Sequence, residues 1–186
     1  MYAAVLEKTL QALDPRIINV EKIRDTEKTF IIRFKNQTVL IKDGYVMEPE
    51  KLSSGTADGI GIADLITSMK LKAVDFIFCD EKFSHVHSEA EKAFLSLLLE
   101  LIGPNQQLFF TTHNTDVLDM NFPFHSFAFL RRESSNEESV SCVFASEYLK
   151  KNTLSLKNAV ENDLFLSMPD TDRIYKIGNL FRGEKA

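Results

Sequence analysis

The chain has no tryptophan, only two cysteines, and no apolar run near the ~20 residues that a bilayer crossing needs. Its first apolar stretch is broken by Glu7 and Lys8, so a secretory leader is not expected. Positive charge is also short: 22 Lys and Arg stand against 27 Asp and Glu, a net charge of −5, so no global basic field draws in nucleic acid. A local patch is still allowed, but the only adjacent basic pairs are Arg131-Arg132 and Lys150-Lys151, which solvated surface charge explains as well. Cys79 and Cys142 both fall in segments expected to be buried strands, and a reduced cytoplasmic protein without a disulfide is the simplest expectation. What is present is ordinary for a globular chain: 186 residues, 44% apolar and 26% charged, with fifteen Phe to fill a core.

Periodicity divides the chain into elements. Tyr2 to Leu13 is expected as an amphipathic helix with Val5, Leu6, Leu10 and Leu13 on one face, ended by Asp14-Pro15. Strand-like runs at Ile17–Ile23, Thr29–Phe34 and Thr38–Ile41, separated by short polar turns, predict an antiparallel meander. A helix is expected over Gly55–Lys70 and a strand over Val74–Cys79. Ser88 with Glu91 predicts a capping box for a helix running to Leu101, closed by Gly103-Pro104. A second strand is expected over Gln107–Thr111, and Asn114 or Thr115 can cap a short helix through Met120. Strands at Phe127–Arg131 and Val140–Phe144 with a hairpin loop from Glu133 to Ser139 follow, then a helical tail, Leu149 to Arg182, broken at Pro169. This order predicts an α/β chain with a mixed sheet. The expected organisation is one partial domain over 1–186: helix and meander over 1–50, a core over 51–145, C-terminal helices over 146–186.

Three segments carry chemistry. Phe76-Ile77-Phe78-Cys79 is an apolar run that stops at Asp80-Glu81. Such a run predicts a strand buried on both faces, and open α/β sheets place ligands beyond the C-terminal ends of such strands. Asp80 can hold Mg²⁺ and Glu81 can orient or deprotonate a water, although two solvated carboxylates at a strand end are the plain alternative. Leu52-Ser53-Ser54-Gly55-Thr56 opens a helix; its hydroxyls and N–H groups form either a simple cap or an anion site favoured by the helix dipole. Thr111-Thr112-His113-Asn114 follows the second strand, so His113 is either a loop histidine or an imidazole at the same sheet edge. The spacing of Asp80, Glu81, His85 and His87 also invites a metal site. Gly59-Ile60-Gly61 is no phosphate loop, because no strand precedes it and no Lys follows it.

Taken in this order, the three segments resemble the C-terminal half of an ABC-type ATPase head, in the RecF/SMC-like and OLD-like branch of AAA-family ATPases, over about residues 17–145. The resemblance implies a P-loop NTPase-like lobe. Leu52 to Thr56 is similar to the ABC signature and Phe76 to Glu81 to a Walker B strand. Phe83 to Ser88 is similar to the D-loop region, where this branch often carries a His at the position of His87. Thr111 to Asn114 is similar to the switch-histidine segment. It implies Asp80 as the Mg²⁺ residue, Glu81 as the catalytic glutamate and His113 as the γ-phosphate sensor. Ser53, Ser54, Gly55 and His87 are implied as nucleotide-binding residues across a head-to-head homodimer. ATP and Mg²⁺ would be the ligands. DNA or a partner nuclease would be the effector side, with roles in DNA repair or phage defence and no membrane attachment. The family's Walker A loop, Gly-x4-Gly-Lys-Ser/Thr, is absent, since the chain has no Gly-Lys dipeptide, and Ser54 stands where the signature usually has Gly. A C-terminal portion of a larger ATPase is therefore expected, with weak or no ATP binding by this chain alone. Two other functions stay open: a catalytically inactive ATPase-like module for dimerisation or regulation, and a metal-dependent hydrolase using Asp80, Glu81, His85, His87 and His113.

Overall fold

The computed structural model describes residues 1–24, 26, 28–133, 136–150, 155–168 and 171–182, with backbone only for 132, 133, 136–138, 173, 180 and 182. The chain divides into two compact units, Met1–Asn114 and Thr115–Ala186.

In the first unit, helix α1 (Tyr2–Leu13) buries Leu6 and Leu10, four residues apart and therefore on one face. Pro15 disfavours helical backbone in the residue before it, and Asp14 turns extended there. Strands β1 (Ile17–Lys22), β2 (Phe30–Phe34), β3 (Thr38–Lys42) and β4 (Tyr45–Val46) then pair as an antiparallel meander in chain order. The period-2 pattern of β2 sends Phe30, Ile32 and Phe34 inward, where they join Leu6, Leu10, Val20, Val39 and Ile41 in one core.

A second core lies under the segments that carry chemistry. Helix α2 (Ser54–Lys70), strand β5 (Phe76–Asp80), helix α3 (Ser88–Leu101) and strand β6 (Gln107–Thr111) build it from Ile62, Ile66, Met69, Ile77, Cys79, Phe83, Phe94 and Leu98. β5 and β6 pair in parallel, from Phe76 opposite Gln107 to Asp80 opposite Thr111.

Two expectations are corrected here. The described residues hold no single mixed sheet: the meander, the parallel pair and a C-terminal hairpin are three separate sheets. Nor is β5 buried on both faces. Ile77 and Cys79 point into the core, but Phe76 and Phe78 are each 60% exposed, because α2 and α3 cover only one side of the pair.

The second unit pairs β7 (Ala128–Glu133) with β8 (Asn136–Phe144) antiparallel, followed by the short helices α4 (Ala145–Tyr148), α5 (Leu156–Glu161) and α6 (Asp172–Arg182). Pairing runs out to Glu133 opposite Asn136, so most of the segment expected as a loop over 133–139 is strand. Phe165 is fully buried and stacks on Phe129 at 4.2 Å. Lys157 bridges Asp116 and Asp119 at 2.7 and 3.2 Å, and those carboxylates raise its pKa. Cys142, expected to be buried, is exposed because it alternates with the buried Val143 along β8. The expected break at Pro169 and the basic residue Lys151 lie outside the described residues.

Asp14 joins the end of α1 to the start of α2. Its carboxylate is 5% exposed and accepts from Arg16 Nε (2.9 Å), Arg16 Nη2 (2.8 Å) and the Arg16 backbone N–H (3.0 Å), with Thr56 Oγ1 of α2 at 3.4 Å. Arg16 holds the Asp14 pKa below its ordinary 3.8, against the opposing effect of burial. A carboxyl lowered in the folded state stabilises the fold fully above its unfolded value, and that stabilisation is lost as pH falls through the folded value. Asp14→Asn should therefore cost about 1–3 kcal/mol at neutral pH, read by urea denaturation, and the gap from wild type should narrow below about pH 4.

The two thiols should also separate kinetically. Burial raises the Cys79 pKa to about 11, and its side chain is covered, whereas Cys142 is open to solvent. A disulfide-exchange reagent at mildly alkaline pH should modify Cys142 rapidly and Cys79 only on denaturation, because the thiolate is the reactive species. Equal rates for Cys142→Ser and Cys79→Ser proteins would contradict this.

Candidate active site at the end of the parallel pair

The register of β5 and β6 sets the site. With Asp80 opposite Thr111, both strands end at one edge, and Glu81 and Thr112 to Asn114 leave from neighbouring points. Thr111 Oγ1 donates to Asp80 Oδ1 (2.7 Å) and accepts the Glu81 backbone N–H (2.9 Å). One hydroxyl thus fixes a side chain and a backbone turn together. Glu81 adopts a left-handed backbone, φ +44°, at a cost of roughly 1–2 kcal/mol for a residue with a Cβ. The chain leaving β5 in this conformation places Glu81 Oε1 2.7 Å from His113 Nε2. A carboxylate can only accept, so the imidazole carries a proton on Nε2.

Glu81 and His113 border a cleft of about 280 Å³ whose wall includes Phe83, Ser84 and Asn114. Phe83 is buried and packs on Phe94 and Phe110 at 5.7 and 5.3 Å, which makes the base of the cleft rigid and apolar. Glu91, only 3% exposed, also lines the cleft. Thr112 Oγ1 donates to Glu91 Oε1 (2.5 Å), Asn114 Nδ2 donates to Glu91 Oε2 (2.8 Å), and the Asn114 backbone N–H donates to Thr112 Oγ1 (2.9 Å).

The expected capping box at Ser88 is therefore replaced. His87 is the cap of α3, its Nδ1 accepting the Glu89 N–H at 3.3 Å, and Ser88 is the first helical residue, donating to Asn114 Oδ1 at 3.2 Å. The Glu91 carboxylate takes two side-chain donors from the loop after β6. His85 turns elsewhere, with Nδ1 2.9 Å from Asp58 Oδ2 of α2.

Of the residues singled out from sequence, Glu81 and His113 border the cleft, and Asp80, which does not line it, is joined to its edge through Thr111. Ser53, Ser54, Gly55 and His87 are not in that cleft. Ser53 caps α2, its Oγ accepting the Thr56 N–H at 3.2 Å and bonding Thr56 Oγ1 at 2.7 Å, while Ser54 is exposed. Gly55 lies against the loop after β5: a Cβ there would stand 2.6 Å from the His85 carbonyl oxygen, so the first turn of α2 packs on that loop only without a side chain. His85, His87 and His113 point to three different partners, and among the described residues no three His, Cys, Asp or Glu side chains form a metal-ligand cluster. A metal site built on Asp80, Glu81, His85 and His87, with or without His113, is thereby disfavoured. Mg²⁺ asks less of the protein. It takes oxygen ligands, keeps several waters and uses one or two carboxylates with substrate phosphate, and Asp80, steadied by Thr111, fits that role.

Sequence reasoning missed Glu91 as a site component, and it placed Thr111 in a site segment without the role its hydroxyl has. No helix of the described residues is long and apolar enough to cross a membrane. No family model matches the chain, and no curated protein matches it.

Thr111→Val keeps the shape but removes the acceptor of the Glu81 N–H and the donor to Asp80. It should lower stability by about 0.5–1.5 kcal/mol in thermal or urea denaturation, while Thr111→Ser should retain most of it. Equal stability of the valine and serine proteins would show that the hydroxyl does not hold the turn.

Proposed function

We propose that the chain is the hydrolytic portion of an ABC-type ATPase head that works as a head-to-head homodimer. The observation that carries this proposal is the 2.7 Å pair of Glu81 and His113 at the C-terminal edge of a parallel strand pair, with Asp80 beside it. Glu81 orients the attacking water and accepts its proton. His113 holds Glu81 in place through Nε2–H and can turn the same donor to a γ-phosphate oxygen. Asp80 would hold Mg²⁺ through water, and the ion would neutralise charge on the β- and γ-phosphates. Ser53, Ser54 and Gly55 lie outside this cleft, which agrees with a role toward nucleotide on the second head rather than on their own.

No Gly-x4-Gly-Lys-Ser/Thr loop occurs in the chain, so the phosphate cradle must come from another segment or polypeptide. The uncovered side of the parallel pair supports this requirement. Phe76 and Phe78 are 60% exposed and Phe109 44%, whereas parallel sheets are normally covered on both faces. In this proposal the ATPase cycle drives conformational change on DNA or a partner nuclease, in DNA repair or phage defence.

The experiment is reconstitution. The chain is combined with a lobe of the same branch that carries the missing phosphate loop, and Mg²⁺-dependent phosphate release is measured. Wild type should hydrolyse ATP, and Glu81→Gln should lower kcat by about 10²–10⁴-fold. Equal rates for the two proteins would overturn the proposal. Assembly with the lobe but no hydrolysis would instead make the chain an ATPase-like dimerisation or regulatory module.

A further inference from the structure

We infer that Glu91 is a positioning residue that sets His113 against Glu81, by gripping the residues on both sides of the imidazole. The inference rests on the pairing of Glu81 with His113 as the working element of the proposed site. Three observations carry it. Glu91 is a nearly inaccessible carboxylate that accepts two side-chain hydrogen bonds from donors aimed at it. Those donors are Thr112 and Asn114, immediately before and after His113, and each takes a different carboxylate oxygen. The loop is further closed on itself by the Asn114 N–H on Thr112 Oγ1 and joined to α3 by Ser88 on Asn114 Oδ1.

The geometry explains why a buried group is needed. His113 is 83% exposed and Glu81 48%, so their own contact is solvent-screened and contributes little to its own stability. A loop left to that contact alone would sample many imidazole positions. Glu91 restricts the loop through part-buried hydrogen bonds to a nearly inaccessible charged acceptor, which are stronger than those between neutral groups. Glu91 touches no reacting atom; it acts through His113.

An amide replaces this carboxylate only by disturbing the loop. Glu91→Gln turns one oxygen into an NH₂ group. Facing Asn114, it opposes donor to donor unless the Asn114 amide also turns over and reverses its bond with Ser88; facing Thr112, it leaves the Thr112 hydroxyl proton without an acceptor. The double variant Glu91→Gln/Asn114→Asp reverses the pair, so that the amide donates to the new carboxylate and still accepts from Thr112.

The test follows the ring proton and carbon resonances of His113, assigned by their loss in His113→Gln. It needs no ATP and no partner lobe, so it stands or falls separately from hydrolysis. Glu91→Gln should move the His113 ring signals toward the positions they take in Glu81→Gln, with His85 and His87 unchanged. The double variant should move them back. In the reconstituted ATPase, kcat should fall about 10- to 100-fold with KM unchanged. Unmoved His113 signals in a folded Glu91→Gln protein, or a double variant that fails to restore them, would overturn the inference. Should Glu91→Gln not fold, Asn114→Ala removes one half of the grip and is read the same way: shifted His113 signals support the inference and unshifted ones overturn it.

Discussion

The in-register parallel pairing of β5 with β6 is the constraint on which the site depends. Side chains alternate along a strand, so a slip of one residue would carry Ile77 and Cys79 out of the core and Phe76 and Phe78 into it. The core formed by Ile62, Ile66, Met69, Phe94 and Leu98 therefore selects one register. That register brings Asp80 level with Thr111. From there a single hydroxyl fixes the carboxylate of Asp80 and the turn at Glu81, and the turn presents Glu81 to His113. Packing several residues away thus determines a 2.7 Å contact at the surface.

The contacts around His113 divide into two kinds with different energetics. The pair with Glu81 is open to water, and exposed ion pairs contribute about 0–1 kcal/mol. The network on Glu91 is buried, and leaving one of its groups unpaired costs about 1–3 kcal/mol. A weak outer contact on a firm inner support would suit the partner exchange that the proposed ATPase cycle asks of His113. Were both contacts strong, the imidazole would be locked; were both weak, it would not be placed at all.

Much of this arrangement was legible in the sequence, and the remainder was hidden for definable reasons. The helix over Tyr2–Leu13 and the strand over Gln107–Thr111 have the limits that periodicity and punctuation predict. Asp80, Glu81 and His113 stood out because each follows an apolar run, and a strand end is a local signal. Glu91 was seen only as the third residue of a capping box. Its partners lie 21 and 23 residues further on, and no local pattern connects them. The same limit explains His87, whose role as cap displaced Ser88 by one position. An apolar run likewise reports that a strand is apolar on both sides, but not whether both sides are covered, which is why Phe76 and Phe78 were expected inside.

That uncovered side bears on how the proposed ATPase would be assembled. Phe76, Phe78 and Asp80 have the same parity along β5, and Phe109 and Thr111 the same parity along β6, opposite Phe78 and Asp80 in the register. The exposed aromatic face therefore ends at the carboxylate assigned to Mg²⁺ and its threonine partner. A lobe laid over the aromatic rings would arrive at Asp80 without any rearrangement of the cleft, whose shape is set from the opposite side by Phe83 and Glu91. Burial of the rings would stabilise the assembly, while Asp80 would define the edge at which a phosphate cradle from that lobe meets the water-handling residues of this one. Binding and chemistry would then be supplied by different polypeptide segments but aligned by one strand, with hydrolysis dependent on their association.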